Sequence, residues 1–474
     1  MREMNIIFMN SIKKIVALTL LLVGTISLTG QDITGTWNGD LAVSGTKLKL
    51  VFHIDKSETG YVALMDSPSQ GAKGIPASSV LFDESNLSIE IKSLGVIYKG
   101  AVVNETTIEG TFSQSGMSFP LSLTRGEPEA LKRPQEPKPP FPYKSEDVSF
   151  PNEKGGAIFA GTITLPEGKG PFPAAILVSG SGAQNRDEEI LGHKPFLLIA
   201  DYLTRNGIAV LRYDDRGFGE STGDRSLATM EDYMEDALSA FEYLSMRPEI
   251  DRKNIGIIGH SEGGTISFMA AARNKDIAFI VSLAGMAVRG DTLLAIQNYD
   301  ILIASGISKE IATAYRSALE DIYSVINARS HSDIVNNTAE IEEVLFREKR
   351  DILPVQLTQN LSAVLQSLSA APYWRFCLGN NLHNDIKSVM CPVFALNGSK
   401  DIQVDADMNL AAVKRHLSSA GNMNFVVRKY EGLNHLFQHC DTGVVGEYEM
   451  IEETMSPEVL EDIKNWILER GIKR

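Results

Sequence analysis

Residues 255–264 of this 474-residue chain decide its fold and read Ile-Gly-Ile-Ile-Gly-His-Ser-Glu-Gly-Gly. The first four residues are typical of a buried strand, and the run from Gly264 to Ala272 is compatible with a helix. Between them stands Gly259-His260-Ser261-Glu262-Gly263, in which small residues lie two positions to either side of the serine. A turn of this kind holds a serine in a strained backbone conformation and lets strand and helix approach each other closely. The spacing therefore predicts that Ser261 is a nucleophile.

Apolar strands alternate with helical segments on both sides of this turn. Strands are predicted at 158–165, 173–178, 208–213, 255–259, 279–284, 391–396 and 425–430, and helices at 195–206, 230–244 and 460–469. Continuous apolar strands are typical of a parallel sheet that helices cover on both faces. We therefore expect an α/β fold with a mostly parallel sheet. From about 288 to 390 helical segments such as 311–328, 338–349 and 355–368 replace the alternation, which predicts a helical cap over the carboxyl edge of the sheet.

Residues 31–125 follow a different pattern of short strands with alternating polar and apolar residues, separated by Gly, Asn, Asp and Ser. This pattern predicts an antiparallel all-β domain, either a barrel or a sandwich. Its single tryptophan, Trp37, is expected in the core, with a ligand cup as the alternative. The stretch 126–144 contains six prolines among charged residues and predicts a semi-rigid linker, so that the catalytic domain would span 145–474.

The first 30 residues have the pattern of a secretory signal peptide. Lys13 and Lys14 precede an apolar run from Ile15 to Leu28, and Thr29-Gly30 offers a cleavage site. The run of 14 residues is short for a membrane span. We therefore expect export to the periplasm or the outside of the cell, with no stable membrane insertion once the signal is removed.

Composition excludes several classes of function. The formal net charge is −15, and acidic residues are spread along the chain, which argues against a nucleic-acid partner. The chain contains three cysteines, Cys377, Cys391 and Cys440, which are too few for a disulfide framework. The sequence is compatible either with one disulfide or with three free thiols. The sequence contains no CxxC, HExxH or clustered His/Cys pattern, so we expect no metal site.

A serine nucleophile needs a base to accept its proton and an acid to orient that base. His435 follows the last predicted strand in Gly432-Leu433-Asn434-His435 and is the predicted base, with His439 as its rival. Asp401 directly follows the strand 391–396 and is the predicted acid, with Asp405 and Asp407 as its rivals.

The developing oxyanion needs fixed backbone donors. We predict the N–H of Glu262, directly after the nucleophile, and that of Ser181 in the glycine-rich run 179–182, with Gly182 as the second choice. The Glu262 side chain is expected to support neighbouring loops, or alternatively to meet a cationic substrate group. Asp215 and Arg216 are predicted to form an ion pair beneath the site.

Taken together, these segments resemble the α/β-hydrolase superfamily, and in particular a bacterial group of carboxylesterases with a helical cap. The resemblance spans about 180–440, with the order Ser261, Asp401, His435, and does not include the β-domain. It implies hydrolysis of small carboxylic esters through an acyl-enzyme without a cofactor. The alternatives are a peptidase of the prolyl-oligopeptidase or aminopeptidase type, an acyl thioesterase, and a ligand-binding protein with an inert hydrolase fold.

Overall fold

The structure is a computed structural model that describes residues 32–43, 46–67, 72–114, 117–128 and 132–472. The signal peptide predicted for residues 1–30 lies outside the described residues. The chain divides into two compact units between Glu129 and Ala130, and each unit is described by itself.

The N-terminal unit is an antiparallel sheet of nine strands, which confirms the predicted all-β domain. The strands are β1 (Gly35–Val43), β2 (Thr46–Ser57), β3 (Gly60–Ser67), β4 (Ala72–Pro76), β5 (Ser79–Asp83), β6 (Asn86–Ile91), β7 (Val96–Asn104), β8 (Thr107–Gln114) and β9 (Met117–Arg125), and a single 3₁₀ turn, Lys92–Leu94, precedes β7. Their order across the sheet is β4-β3-β2-β1-β9-β8-β7-β6-β5. Neighbours in sequence are thus mostly neighbours in the sheet.

The two ends of this order, β4 and β5, are consecutive in the chain. Between them, the N–H of Ala77 donates to the carbonyl of Ala63 in β3 at 2.9 Å, and the N–H of Ser78 donates to the carbonyl of Glu90 in β6 at 2.7 Å. The β4–β5 segment therefore connects both ends of the sheet, which curls into a barrel-like form instead of stacking as a sandwich.

Trp37 lies in the core of this barrel-like sheet, as predicted. Its side chain is fully buried with Phe52 and Tyr98, and its indole N–H donates to the carbonyl of Ile33 at 2.8 Å. A buried indole with a satisfied N–H has a packing role, so Trp37 does not line a ligand cup.

The C-terminal unit contains an eight-stranded sheet. Its strands are β10 (Lys144–Asn152), β11 (Ala157–Leu165), β12 (Phe172–Val178), β13 (Ala209–Tyr213), β14 (Ile250–His260), β15 (Ile280–Leu283), β16 (Val393–Gly398) and β17 (Phe425–Tyr430), in the order β10-β11-β13-β12-β14-β15-β16-β17. The sheet is mixed: β10 with β11 and β11 with β13 pair antiparallel, and the remaining pairs, from β13 with β12 through β16 with β17, are parallel.

Helices cover both faces of this sheet. In chain order the helices are α1 (Pro195–Arg205), α2 (Met230–Ser245), α3 (Glu262–Arg273), α4 (Gly290–Ala304), α5 (Lys309–Ala328), α6 (His331–Asn336), α7 (Thr338–Phe346), α8 (Val355–Ala370), α9 (Pro372–Gly379), α10 (His383–Ser388), α11 (Ala406–Ser419), α12 (Val445–Tyr448) and α13 (Pro457–Trp466), followed by a π-helical turn, Ile467–Gly471. On β14, Ile257 joins the core under α2, α3 and α11, whereas Ile258 joins the core under α1 and α13. Both faces are buried from Ile255 onward, which is why the second half of β14 is an apolar run.

Helices α4 to α10 are inserted between β15 and β16. The segment has a core of its own, in which α5 buries Tyr315, Leu319 and Ile322 at helical spacing against Leu361 and Leu365 of α8. The three predicted helices correspond to α5, α7 and α8. The short helices α6, α9 and α10 were not predicted, because six to eight residues give too little periodicity to recognise. In the parts of the chain that the structure describes, no helix is long and apolar enough to cross a membrane.

The segment predicted as a spacer is bound to the C-terminal unit over much of its length. The half-buried guanidinium of Arg133 donates to the carbonyls of Leu191, Gly192, Glu449 and Ile451 at 2.7–3.2 Å. A similar role falls to Gln135, whose amide contacts the backbone at positions 454 and 455. Proline content predicts an extended backbone but not the contacts that this backbone makes.

Arg133 therefore provides a test of this attachment. Arg133→Ala leaves four backbone carbonyls without their charged donor, and we expect it to lower the free energy of unfolding by about 1–3 kcal/mol. Urea unfolding measures the change, and the neighbouring exposed residue provides the control, Lys132→Ala, which should be neutral. Equal stability of the two variants would show that the segment contributes nothing to the unit.

Candidate active site

Ser261 lies at the turn between β14 and α3 in a conformation that few residues other than glycine adopt. Its φ is +53° and its ψ is −117°, and its N–H donates to the carbonyl of Leu283 in β15 at 2.8 Å. A Cβ at Gly259 would lie 2.0 Å from the carbonyl oxygen of Gly263, and one at Gly263 would lie 2.0 Å from that of Val178. Both glycines are therefore required for the close approach of strand and helix, as the sequence predicts.

His435 and Asp401 form a buried pair. His435 follows β17 and Asp401 follows β16, and the Nδ1 atom of His435 lies 2.7 Å from Oδ2 of Asp401. The other oxygen, Oδ1 of Asp401, accepts the N–H groups of Gln403 at 2.8 Å and Val404 at 2.9 Å. Because Asp401 accepts the proton of Nδ1, Nε2 of His435 has an unshared electron pair and can act as a base.

The pair lies beside the nucleophile turn. The ring of His435 contacts that of His260, the residue before Ser261, with ring centroids 4.8 Å apart. In addition, Nε2 of His260 donates to the carbonyl of His435 at 3.0 Å. The structure thus brings together the three regions of the chain that contain Ser261, Asp401 and His435.

The rival residues have other contacts. The imidazole of His439 is exposed and lies 2.8 Å from Glu453, not beside Asp401. Asp405 caps α11 by accepting the N–H of Met408 at 2.7 Å, and the exposed Asp407 pairs with Lys429 at 2.8 Å. Each rival carboxylate or imidazole is therefore accounted for without a role at the turn.

The predicted oxyanion donors lie at the start of α3 and in the loop after β12. Glu262 is the first residue of α3, and Ser181 is exposed in the loop after β12. Within the described residues, neither of their N–H groups has a protein acceptor. The N–H of Gly180, in contrast to these two, is already paired, because it donates to Oε1 of Glu188 at 2.7 Å. A Cβ at Gly180 would lie 3.3 Å from the Cβ of Ser261. A substituent at this position would therefore narrow the space next to the nucleophile.

The Glu262 side chain contacts the cap. It is buried, and the hydroxyl of Tyr373 in α9 donates to its Oε2 atom. Burial raises the pKa of Glu262 to about 7, while the hydrogen bond from Tyr373 acts in the opposite direction. The Glu262 side chain was expected to support neighbouring loops, and its hydrogen-bond partner lies in the inserted helices instead. Tyr373 was not predicted, because nothing in the sequence relates a tyrosine to a residue 111 positions earlier.

The predicted ion pair between Asp215 and Arg216 is wrong. Arg216 instead binds Asp236 of α2, with contacts of 2.5 and 3.0 Å. Asp215 accepts the hydroxyl of Ser179 at 2.6 Å and the N–H of Gln184 at 2.8 Å. Burial is the main cause that raises the pKa of Asp215 to about 7. Adjacent residues at a strand end point in different directions, so adjacency in sequence misled the prediction.

A small cavity of about 20 Å³ lies next to Glu262 and Gly180. Ser179, Asp215 and Tyr233 also line it. In the regions described, no group of three or more His, Cys, Asp or Glu side chains is arranged to hold a metal ion. The cysteines at 377, 391 and 440 form no disulfide with one another.

Two residues that the sequence analysis did not assign belong to this region. Glu188 is completely buried, and its Oε1 atom lies 2.9 Å from Nδ1 of His260. Burial disfavours charge on His260, but the Glu188 carboxylate, the carbonyl of His435 and the charge of Asp401 together outweigh this effect and raise the pKa of His260. His260 belongs to the nucleophile motif, so its position gave a signal. Glu188 lies in no motif of the sequence analysis and had no comparable signal.

A mixed sheet covered by helices, a serine at a strained strand-to-helix turn and a buried His–Asp pair together define the α/β-hydrolase class. Residues 194–439, more than half of the chain, match the family model described as serine aminopeptidase, S33. The chain belongs to this family of α/β-hydrolases.

Several known proteins are similar to parts of the chain. Esterase EstD of Thermotoga maritima is 42% identical over 115 residues, which cover 24% of this chain and 27% of EstD. Acyl-coenzyme A thioesterase 3 of Mus musculus is 28% identical over 168 residues, 35% of each protein. Among solved structures, Est1E from Butyrivibrio proteoclasticus with bound ferulic acid has a TM-score of 0.40 and 16% identity, over 69% of this chain and 100% of Est1E. The chain spans 27% of the length of EstD and 65% of that of the putative hydrolase YtaP of Bacillus subtilis, which is less than two thirds of either relative.

The raised pKa of Glu262 predicts a pH dependence of stability. Its ordinary value is 4.5, so between 4.5 and about 7 the folded state holds a proton that the unfolded state has released. The free energy of unfolding therefore falls as pH rises through this window. Glu262→Gln removes the titration, and its stability relative to the wild type should rise from about pH 5 to about pH 8. Urea unfolding at several pH values measures this difference.

The control is Glu167→Gln, which replaces an exposed carboxyl in the turn between β11 and β12. Its stability relative to the wild type should change little with pH. If the difference in the free energy of unfolding between Glu262→Gln and the wild type were equally independent of pH, the buried, protonated state of Glu262 would be contradicted.

Proposed function

We propose that this protein is a serine hydrolase that cleaves small carboxylic ester bonds through an acyl-enzyme on Ser261. The observation that carries the proposal is the buried pair of His435 and Asp401, 2.7 Å apart, beside a serine held at φ +53°. A strained serine alone would be a tight turn, and a buried His–Asp pair alone would be a structural contact. Both together are the parts that nucleophilic catalysis needs.

The reaction follows from these positions. The hydroxyl oxygen of Ser261 attacks the ester carbonyl while Nε2 of His435 accepts its proton. Asp401 fixes the tautomer of His435 and stabilises the imidazolium that forms, because both oxygens of Asp401 are held by hydrogen bonds. The imidazolium then protonates the departing alcohol, and the acyl group remains on Ser261.

Charge on the carbonyl oxygen during attack would be stabilised by the N–H groups of Glu262 and Ser181. Neither N–H has a protein acceptor within the described residues, so both can donate to an oxyanion without breaking an existing bond. Water then attacks the acyl-enzyme with His435 again as the base, which releases the acid and restores Ser261. The residues supply the nucleophile, base and donors that this sequence of steps requires, and no cofactor takes part in it.

The similarity to the esterase EstD, which is 42% identical over 115 residues, favours an ester substrate over an amide. Two other candidates are a peptidase, which the description of the family as serine aminopeptidases favours, and a thioesterase, which the similarity to the mouse acyl-coenzyme A thioesterase favours. The substrate is in each case a small molecule. The signal-like pattern of residues 1–30 supports the further proposal that the protein acts after export.

The catalytic assignment predicts the effect of three substitutions. Ser261→Ala, His435→Ala and Asp401→Asn should each lower kcat for a short p-nitrophenyl ester by on the order of 10³-fold or more, because the residues act as one unit. Circular dichroism should show that the variants stay folded.

The rival residues provide matched controls. His439→Ala and Asp407→Asn change an exposed imidazole and an exposed carboxylate and should keep kcat within about two-fold of the wild type. If His439→Ala lost activity and His435→Ala kept it, the assignment of the base would be wrong.

Substrate class is tested with matched amides. The purified protein is assayed with p-nitrophenyl acetate and butyrate, and with aminoacyl p-nitroanilides that have either a free or an acetylated amine. We expect Ser261-dependent turnover of the esters and little turnover of either anilide, because an amine is a poorer leaving group. Efficient turnover of the free-amine anilide but not of its acetylated form would instead establish the aminopeptidase.

A further inference from the structure

Glu188 combines two features that lower stability. Its φ is +51°, in the left-handed region that residues with a Cβ rarely adopt. Its carboxylate is completely buried, and in the described part of the chain Oε2 has no hydrogen-bond partner. A buried acceptor without a donor is rare in folded proteins and points to a role other than stability.

The other oxygen of Glu188 holds two parts of the site. Oε1 accepts the N–H of Gly180, in the loop that contains Ser181, at 2.7 Å. The same atom lies 2.9 Å from Nδ1 of His260. One carboxylate oxygen therefore connects the loop after β12 to the end of β14.

His260 extends this connection to the base. Its Nε2 atom is 3.0 Å from the carbonyl oxygen of His435, and a carbonyl only accepts hydrogen bonds, so Nε2 has a proton. Nδ1 lies 2.9 Å from Oε1 of Glu188, so both ring nitrogens of His260 face oxygen atoms. This arrangement favours the charged form of His260, in agreement with its raised pKa.

We propose that Glu188 and His260 are positioning residues for the reaction at Ser261, an inference that rests on the proposed function. The pair fixes the backbone of Gly180, and with it the donor loop, and fixes the backbone of His435, and with it the base. Both are held relative to His260, which directly precedes the nucleophile. Neither residue takes part in a proton transfer with the substrate.

A merely structural role explains this arrangement less well. Buried ion pairs contribute little to stability, and apolar residues of similar volume often replace them without loss. Catalysis, in contrast, depends steeply on geometry, and a displacement of about 1 Å costs on the order of 10²-fold in rate. The pair joins the three segments whose relative position sets that geometry.

The test compares kcat and KM for p-nitrophenyl butyrate in the full-length protein, per active site titrated with a fluorophosphonate. Glu188→Gln keeps the side-chain volume but removes the charge, and Glu188→Ala removes both contacts. In His260→Leu the donor to the carbonyl of His435 is lost, whereas in His260→Gln an amide N–H remains to donate. The control is Glu189→Gln, which alters the adjacent exposed carboxylate, whose side chain accepts a hydrogen bond from Asn185 at 3.5 Å.

We expect Glu188→Ala and His260→Leu to lower kcat at least about ten-fold with KM within about two-fold, since neither residue touches the substrate. The kcat of Glu188→Gln should lie between the kcat of these two variants and that of the wild type. His260→Gln should recover part of the loss seen in His260→Leu, which a role in stability alone would not produce.

The inference would be overturned if kcat stayed within two-fold of the wild type in Glu188→Gln, Glu188→Ala and His260→Leu. It would also be overturned if a loss of activity were explained wholly by fewer titratable active sites, or wholly by a rise in KM. The proposed function fails separately, if Ser261→Ala keeps full turnover. A Ser261-dependent enzyme that tolerates the changes at positions 188 and 260 would refute the positioning role alone.

Discussion

The C-terminal unit depends on one backbone constraint, the left-handed conformation of Ser261 between β14 and α3. The constraint is maintained from three sides. The N–H of Ser261 is bonded to β15, the carbonyl of Val178 in β12 leaves no room for a side chain at Gly263, and Gly259 faces the carbonyl of Gly263. Strain of this kind persists only where the surroundings determine it. The central sheet supplies those surroundings, because β14 lies between β12 and β15.

The site residues that could be predicted from the sequence are those placed by this turn and by the ends of the parallel strands. Parallel strands end at the same edge, so residues directly after β14, β16 and β17 had to meet there, and the chain order of Ser261, Asp401 and His435 could be read in advance. The buried strands were equally readable, because an apolar run with helices on both faces differs from its surroundings. Their observed bounds lie within a few residues of the predicted ones, except that β14 begins at Ile250.

The parts that were not predicted depend on contacts between distant residues without a local pattern. β10 is one example, since Lys144–Asn152 at the sheet edge begins with four polar or charged residues and has no continuous apolar run, and its start was assigned to the linker. Arg133, which binds backbone carbonyls near positions 190 and 450, is another. Glu188 and Tyr373 likewise act through a hydrogen bond that only the folded chain shows. The failed Asp215–Arg216 pair has the same cause, because the true partner of Arg216 lies on α2.

Two kinds of carboxyl group surround the nucleophile, and their surroundings separate their roles. Asp401 accepts three hydrogen bonds, from two backbone N–H groups and from His435, as a group that stabilises an imidazolium must. The side chains of Glu262 and Asp215 instead accept hydrogen bonds from hydroxyl and backbone donors, and burial raises the pKa of each to about 7. Near neutral pH these two carboxyl groups are thus partly protonated, which limits the negative charge close to a developing oxyanion.

The central claim is that Ser261 forms a covalent acyl-enzyme. Rapid acid quenching of the protein with p-nitrophenyl butyrate, followed by proteolysis and mass spectrometry, tests it directly. The account predicts a butyryl group on the peptide that contains Ser261, formed during the first turnover and absent from Ser261→Ala. Turnover of the ester with no acyl group on that peptide, or with the acyl group on another residue, would contradict it.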